Sequence, residues 1–381
     1  MKRRYKILFS FGTRPEAIKL APVIRELQRH PERFQVIIVV TAQHRELLDQ
    51  VLDIFDIVPD YDLKVMAKNQ SLSDVVVKIL KRLEPVLTET RPDLVLVQGD
   101  ASSAFASALA AFYQQIPIGH IEAGLRTYDK YSPFPEEINR RFISIIADIH
   151  FAPTDWARRN LVAEGVGKNK IYVSGNTVID ALQSILKRKR YPQGQFQNGR
   201  MLLVTLHRRE SFGPPLKGIC KALLTIVRRH REVVVVLPVH PNPNVRKTVF
   251  SVLSREERVR LIAPLKYVEF IGLMSQAYLI LTDSGGIQEE APTLGKPVLV
   301  LREKTERPEA IRYGTALLVG TKPEKIVSAT ERLLKSDRLY QRLVRRSNVF
   351  GDGRAAVRIR KVLTRWLASV DTGHRCLKLC L

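Results

Sequence analysis

Cysteine, tryptophan and methionine are scarce in this chain of 381 residues, at 3, 2 and 4 copies. Cys220, Cys376 and Cys380 cannot all pair with one another, and the last two stand in a polar terminal stretch. A disulfide framework is thereby excluded, and a reduced, cytoplasmic setting is expected. Long apolar runs are missing as well. Residues 233–237 are typical of the longest, far below the roughly 18 that a membrane-spanning helix needs. The basic residues 1–6 feed only a short apolar stretch before Gly12-Thr13-Arg14, so the start of the chain reads as a strand and not as a signal peptide. No Cys or His spacing suits a metal, no G-x-G-x-x-G follows the first strand, and no zinc-finger, RRM or basic-zipper pattern occurs. Neither a metal, nor NAD, nor nucleic acid is expected as a partner.

Positive charge is what the chain has in excess, a formal net +24. Residues 1–150 hold 20 Lys/Arg against 19 Asp/Glu, while residues 151–381 hold 42 against 19, so the excess lies in the second part. Many of these cations fall at helix-surface spacing, such as Arg338, Arg342, Arg345 and Arg346, where a solvated face accounts for them. The sharper reading is a field that gathers a polyanionic ligand such as a nucleotide diphosphate.

The length suits two domains. Short β-rich runs alternate with helical spacing, the pattern of parallel sheets covered on both faces. Strands are expected near 6–10, 36–41, 94–98, 116–121, 150–152 and 171–173, then near 201–205, 233–238, 259–262, 279–282, 298–301 and 316–319. Ser71 is placed to cap a helix whose apolar residues follow at Leu72, Val75, Val76, Ile79, Leu80 and Leu83. The polar segment 191–200 is the best linker, which divides the chain into domains at 1–185 and 195–352. A last helix, near 353–369, is expected to pack back on the first domain. Two doubly wound units of this α/β class put a ligand in the cleft between their carboxyl-end loops.

The first strand runs through Gly12-Thr13-Arg14-Pro15 into a helix. Gly12 permits a tight turn, Pro15 suits a first helical turn, and Arg14 and Lys19 set cations beside the N–H groups of the helix start; this is an anion site or a plain turn with two cations. In the second half a buried strand runs into Asp283-Ser284-Gly285-Gly286, whose missing side chains let a phosphate approach the backbone. Glu290, one turn into the next helix, is placed for ribose hydroxyls, and Arg302 and Arg307 add charge for a diphosphate. Asp100 and Glu122 end neighbouring strands, where a carboxylate faces the ligand crevice and removal from water tunes it for proton transfer. Glu136 and Glu137 enter a helix after Ser132-Pro133-Phe134-Pro135, a position that the helix dipole alone also favours. Two loops that follow strands carry His207 and His240.

Taken together, Phe11-Gly-Thr-Arg-Pro-Glu-Ala-Ile-Lys19, Thr41-Ala-Gln-His-Arg45, Gly119-His-Ile-Glu-Ala-Gly-Leu-Arg-Thr127, Tyr131-Ser-Pro-Phe-Pro-Glu-Glu137, Gly175-Asn-Thr-Val-Ile-Asp180, His207-Arg-Arg-Glu210, Thr282-Asp-Ser-Gly-Gly-Ile-Gln-Glu-Glu-Ala-Pro292 and Thr305-Glu-Arg-Pro-Glu309 resemble, in order, the motifs of the non-hydrolysing UDP-N-acetylglucosamine 2-epimerases. The resemblance implies a GT-B fold, two Rossmann-like doubly wound domains with the site in the cleft between them. It implies interconversion of UDP-N-acetylglucosamine and UDP-N-acetylmannosamine, without a cofactor or a metal. Cytoplasmic homodimers would supply N-acetylmannosamine units to surface polysaccharides, with no nucleic acid and no membrane as partner. Carried onto matching positions, Asp100, Glu122 and Glu136 are the acid/base carboxylates and His207 their partner on the diphosphate side. Arg14, Lys19, Phe270, Ser284, Gly285, Gly286, Glu290 and Arg307 hold UDP. An effector pocket for a second UDP-N-acetylglucosamine would take Gln43, His44, Glu137, Arg208 and His240.

Three positions depart from the family pattern: Ala101-Ser102 in place of Thr after Asp100, Asn69 in place of a basic residue, and Tyr313 in place of a small one. A hydrolysing relative that releases free N-acetylmannosamine and UDP is the closest alternative. A non-catalytic UDP-sugar sensor or a nucleic-acid-binding protein is suggested by the charge alone.

Overall fold

The computed structural model describes residues 3–41, 45–67, 70–188, 199–208, 211–344 and 349–379. Two compact units divide the chain, Met1–Gln183 with Phe350–Leu381, and Ser184–Val349.

The first unit holds seven strands: β1 (Tyr5–Phe11), β2 (Phe34–Val40), β3 (Tyr61–Asp62), β4 (Leu94–Gln98), β5 (Ile118–Ile121), β6 (Ile149–Ala152) and β7 (Ile171–Val173). All pair in parallel, in the order β3-β2-β1-β4-β5-β6-β7. The second unit holds β8 (Arg200–Thr205), β9 (Val233–Pro238), β10 (Val259–Ile262), β11 (Leu279–Thr282), β12 (Val298–Val300) and β13 (Ala316–Leu318). These are also parallel, in the order β10-β9-β8-β11-β12-β13. Helices connect successive strands and bury both sheet faces, which is why β4 and β11 read as apolar runs up to a last polar residue, Gln98 and Thr282, and are buried along their whole length. In each unit the order reverses at one point, between β1 and β4 and between β8 and β11, and there the carboxyl-end loops diverge.

Each expected strand has its counterpart, within a residue or two at the ends. β3 has no periodic signal, because two residues cannot show one; it adds to the sheet edge through Asp60 N–H to Ile38 O at 2.9 Å and Leu63 N–H to Val40 O at 2.8 Å. Ser71 does cap the helix Leu72–Thr90, its hydroxyl accepting from the Asp74 N–H at 3.1 Å. Val75, Ile79 and Leu83 of that helix are buried. The segment 191–198, inside the expected linker, lies outside the described residues.

The last helix, Ala355–Leu379, belongs to the first unit and packs against the helix Arg14–Gln28. Asp180 closes its start, accepting from the N–H groups of Ala355 and Ala356 at 3.1 and 3.0 Å, and Arg360 Nε reaches Glu26 at 2.7 Å. Among the described residues no helix is long and apolar enough to cross a membrane.

Two histidines sit side by side in the first sheet, His120 on β5 opposite His150 on β6. Burial pulls His120 down to about 4 and His150 down to about 3, so both are neutral in the folded protein at pH 7. A histidine whose folded pKa is depressed opposes folding as pH falls below its unfolded value near 6.5, because the unfolded chain takes up a proton that the folded one refuses. Asp180, pushed up to about 6 by burial, works the other way between about 6 and 4. Two imidazoles outweigh one carboxyl. Urea unfolding is therefore expected to show a loss of stability between pH 7 and pH 5, about 2 kcal/mol from His120 alone. A midpoint that does not fall over this range contradicts the assignment.

Candidate functional site

Asp100 and Glu122 stand just past the ends of β4 and β5, strands in register with Gln98 opposite Ile121. Gly99 and Glu122 both take left-handed backbone, φ 68° and 64°. A Cβ at position 99 would stand 3.2 Å from Glu122 Oε2, so the turn after β4 needs glycine to let the carboxylate in. Glu122 is buried and has three donors around it. Lys19 Nζ pairs with Oε1, Asn176 Nδ2 donates to the same oxygen at 3.0 Å, and Gln98 Nε2 donates to Oε2. Each of these partners offers N–H, so both oxygens are held as acceptors in one orientation.

Asp100 is more open, with 26% of its side chain exposed. Arg140 Nη2 pairs with its Oδ2 and Asn139 Nδ2 donates to its carbonyl at 2.9 Å. Both partners come from the helix Glu136–Ile146, which ties the start of that helix, and with it Glu136, to the turn after β4. Glu137 is fully buried. Its carboxylate accepts from the N–H groups of Thr127 and Tyr128 at 3.0 Å each and from Arg140 Nη1 at 3.2 Å, so it shapes the preceding loop.

Just before the helix Arg14–Gln28, the N–H groups of Gly12 and Thr13 are taken by a side chain of the helix itself. Glu16 Oε2 accepts from Gly12 N–H at 3.1 Å and Thr13 N–H at 2.8 Å, and the Ser103 hydroxyl donates to the same carboxylate at 2.8 Å. Burial pushes the Glu16 carboxyl up, against these hydrogen bonds. Arg14 is half-buried one position beyond Thr13, and Lys19 points its ammonium at Glu122. Beyond the departure at Ala101-Ser102, it is the Ser103 hydroxyl that serves Glu16.

In the second unit His207 follows β8 and meets a partner the sequence does not advertise. Its Nδ1 lies 2.8 Å from Oδ1 of Asp283, a fully buried residue just past β11. Asp283 also accepts from the N–H groups of His207 and Arg208, at 2.9 and 3.0 Å. Burial alone would raise this carboxyl, but the hydrogen bonds from His207 and the two N–H groups hold it below the usual range. With Nδ1 engaged, Nε2 is the nitrogen left to face a ligand, on a side chain 37% exposed. The His240 ring lies tilted by 33° to that of His207, their centroids 6.2 Å apart, and burial together with His207 lowers its pKa.

The Ser284-Gly285-Gly286 turn starts the helix Ile287–Thr293. Ser284 N–H is tied to Thr282 Oγ1 at 2.9 Å, while Gln288, Glu289 and Glu290 close the first turn on the carbonyls of Gly285 and Gly286. The N–H groups of Gly285, Gly286 and Ile287 have no acceptor within a helix of this geometry. Arg307 lies directly against the turn: a Cβ on Gly285 would come 2.5 Å from its Nη1. Its guanidinium is fixed there by Glu289 and Glu306, each at 2.6 Å, and Glu306 also holds Arg302 at 2.8 Å and Arg208 at 3.6 Å. Glu290 is buried and accepts from the first residue of the helix Tyr267–Gln276, on which Phe270 is half-buried. Among the described residues no group of three or more His, Cys, Asp or Glu is arranged to hold a metal ion.

A family model described as UDP-N-acetylglucosamine 2-epimerase matches residues 25–364. The chain belongs to that family. The UDP-N-acetylglucosamine 2-epimerase of Yersinia pestis is 52% identical over 370 residues, covering 94% of this chain and 98% of that protein. Among solved structures, the Neisseria meningitidis epimerase bound to UDP-GlcNAc has a TM-score of 0.91 at 47% identity, covering 94% of this chain and 100% of the other. The Methanocaldococcus jannaschii epimerase in complex with UDP-GlcNAc and UDP has a TM-score of 0.83 at 35% identity, covering 94% and 99%. This epimerase chain accordingly has the GT-B class of fold, two doubly wound α/β units.

Sequence reasoning singled out Asp100, Glu122, His207 and Arg307 and missed the groups that hold them: Arg140, Gln98 with Asn176, Asp283, and Glu289 with Glu306. Asn176 and Asp283 stand inside motifs that were read, but their partners lie 54 and 76 residues away. Of the expected effector residues, Gln43 and His44 lie outside the described residues, as does Asn69; Glu137 is in the first unit and Arg208 and His240 are in the second. Tyr313 caps the helix Pro308–Arg312 with its ring exposed, and nothing in the structure explains it.

Proposed function

We propose that this epimerase interconverts UDP-N-acetylglucosamine and UDP-N-acetylmannosamine without hydrolysis, by elimination of UDP and readdition, using its own side chains and no nicotinamide or metal. The observation that carries the reading is the set of strand-end carboxylates, Asp100 and Glu122, each set on a cation, with Glu136 opening the helix tied to Asp100. The proton on sugar C2 is not beside a carbonyl, so its removal alone would leave an unstabilised carbanion. If the C1–O bond to UDP breaks as the proton leaves, the electron pair forms the C1–C2 double bond of a 2-acetamidoglucal and UDP departs with the C–O pair. Readdition delivers a proton to the other face of C2, which calls for carboxylates on both faces of the ring. The Ser284-Gly285-Gly286 turn, Arg307 and the His207–Asp283 pair stabilise the charge that grows on the departing diphosphate.

Homodimers are part of the proposal. Phe112, Tyr113, Phe142 and Ile145 are exposed on two neighbouring helices, Ser102–Tyr113 and Glu136–Ile146, Ile145 at 77%, and large apolar side chains exposed in this way fit a second copy. The product would serve N-acetylmannosamine-containing polysaccharides, made from cytoplasmic precursors.

Incubation with UDP-N-acetylglucosamine in deuterated water tests the reaction by proton NMR. The expected product is the manno isomer carrying deuterium at C2. Product free of solvent label overturns elimination, and UDP released in stoichiometric amount identifies a hydrolase instead.

A further inference from the structure

We infer that Tyr267 makes the second unit select a ribonucleotide over a deoxyribonucleotide, by fixing the carboxylate of Glu290 in the orientation that accepts from a vicinal diol. The inference rests on the proposed nucleotide-sugar activity, in which Glu290 receives the ribose hydroxyls.

Tyr267 is the first residue of the helix Tyr267–Gln276 and is 4% exposed, although a phenol is polar at its tip. Its hydroxyl donates to Oε1 of Glu290, 23 residues further along the chain. Glu290 is itself only 6% exposed, in the first turn after Ser284-Gly285-Gly286, and its own N–H closes that turn on Gly286 O at 3.0 Å. The backbone of Glu290 is thus fixed by the phosphate-binding turn and its carboxylate by the phenol. Burying a carboxylate and a phenol together is costly unless each satisfies the other, so the pair is a built feature.

A carboxylate offers about four lone-pair directions, of which the phenol takes one. Two hydroxyls on adjacent ribose carbons need two further lone pairs at a fixed spacing and tilt. A carboxylate free to rotate about its terminal bond meets that geometry only part of the time, and the ordering cost then falls on the ligand. Held by Tyr267, it is ordered in advance. The helix Tyr267–Gln276 also carries Phe270, so an aromatic residue and the group that sets the diol acceptor share one short element. The same hydrogen bond has a plainer use, as a tether between two helices, and the two uses differ in what they predict.

Calorimetric binding of UDP and 2′-deoxy-UDP to the full chain separates them, with Tyr267→Phe, Glu290→Gln and the double variant. Tyr267→Phe keeps the buried ring and removes only the hydroxyl. A hydrogen bond to a charged acceptor is worth roughly tenfold or more in affinity, so the unaltered protein is expected to prefer UDP by about that factor. In Tyr267→Phe the preference is expected to fall to about two- or threefold, mostly through weaker UDP binding. Turnover at saturating UDP-N-acetylglucosamine should stay near the unaltered value while KM rises, because the phenol acts through the ribose acceptor Glu290. In the Glu290→Gln background, Tyr267→Phe should leave the preference unchanged.

If the unaltered protein does not distinguish the two ligands, the ribose role of Glu290 fails. If it distinguishes them and Glu290→Gln does not, but Tyr267→Phe retains the full preference, the inference about Tyr267 is overturned while the role of Glu290 stands. Equal weakening of both ligands by Tyr267→Phe assigns the hydrogen bond to the helix tether and likewise overturns it.

Discussion

Glu122→Gln is expected to lower kcat by about a hundred- to ten-thousandfold, the range for loss of a positioned acid or base. The substitution is nearly isosteric, yet the structure leaves it no good rotamer. Oε1 faces the Lys19 ammonium and the Asn176 amide, and Oε2 faces the Gln98 amide. With its NH2 group turned to Lys19 and Asn176 the new amide sets donor against donor, and in either rotamer the buried Lys19 ammonium loses its charged partner, at a cost of about 1 to 3 kcal/mol. Activity and stability should therefore fall together. Solvent deuterium exchange into C2 of the substrate should fall in parallel with kcat if Glu122 moves the proton. Exchange at the normal rate in a variant with depressed net turnover would place Glu122 outside the proton transfer.

Gly124→Ala is expected to be the most destabilising single-methyl change in the first unit, at roughly 3 kcal/mol or more. Gly124 follows β5 with φ 91°, where an L side chain already costs about 1 to 2 kcal/mol. Its added methyl would run into the carbonyl of Ala157, 2.8 Å from the carbonyl carbon and closer still to the oxygen. That oxygen belongs to the backbone of the helix Asp155–Ala163, and Asn160 of the same helix already holds Gly124 O at 2.8 Å. No flexible tip is available to give way, so the loop or the helix must move. Glu122 stands two residues upstream, and kcat should fall with stability. Urea midpoints for the variant and the unaltered chain decide the matter. A shift worth less than about 1 kcal/mol would mean that the helix yields without cost.

The class of fold and the strand positions were legible in the sequence because parallel strands buried on both faces must be continuous β-branched runs, and helices between them must show a 3.6-residue period. The runs at 94–98, 233–238 and 279–282 carry that signal without help from their partners, and the two-residue β3 is too short to carry any. Turn chemistry was legible for the same local reason. Gly99 before Asp100 marks left-handed backbone, Gly285 before the helix Ile287–Thr293 leaves the room that the Arg307 guanidinium fills, and both turns stand where a doubly wound sheet opens its crevice. What no local pattern contains is which polar groups satisfy one another after burial. Thr13 and Glu16 form a local capping pair, but the Ser103 hydroxyl that completes the donors around Glu16 comes from 87 residues on. Asp283 looks like an ordinary residue before a glycine turn until β8 is laid beside β11, which brings His207 to its carboxylate. The sequence by itself determined the elements and the ends of the strands at which charged residues gather. The tertiary structure alone decided the pairings, Lys19 with Glu122, Arg140 with Asp100, Tyr267 with Glu290. The physical reason is that a buried charge is tolerated only beside its partner, and that partner is chosen by sheet order rather than by distance along the chain.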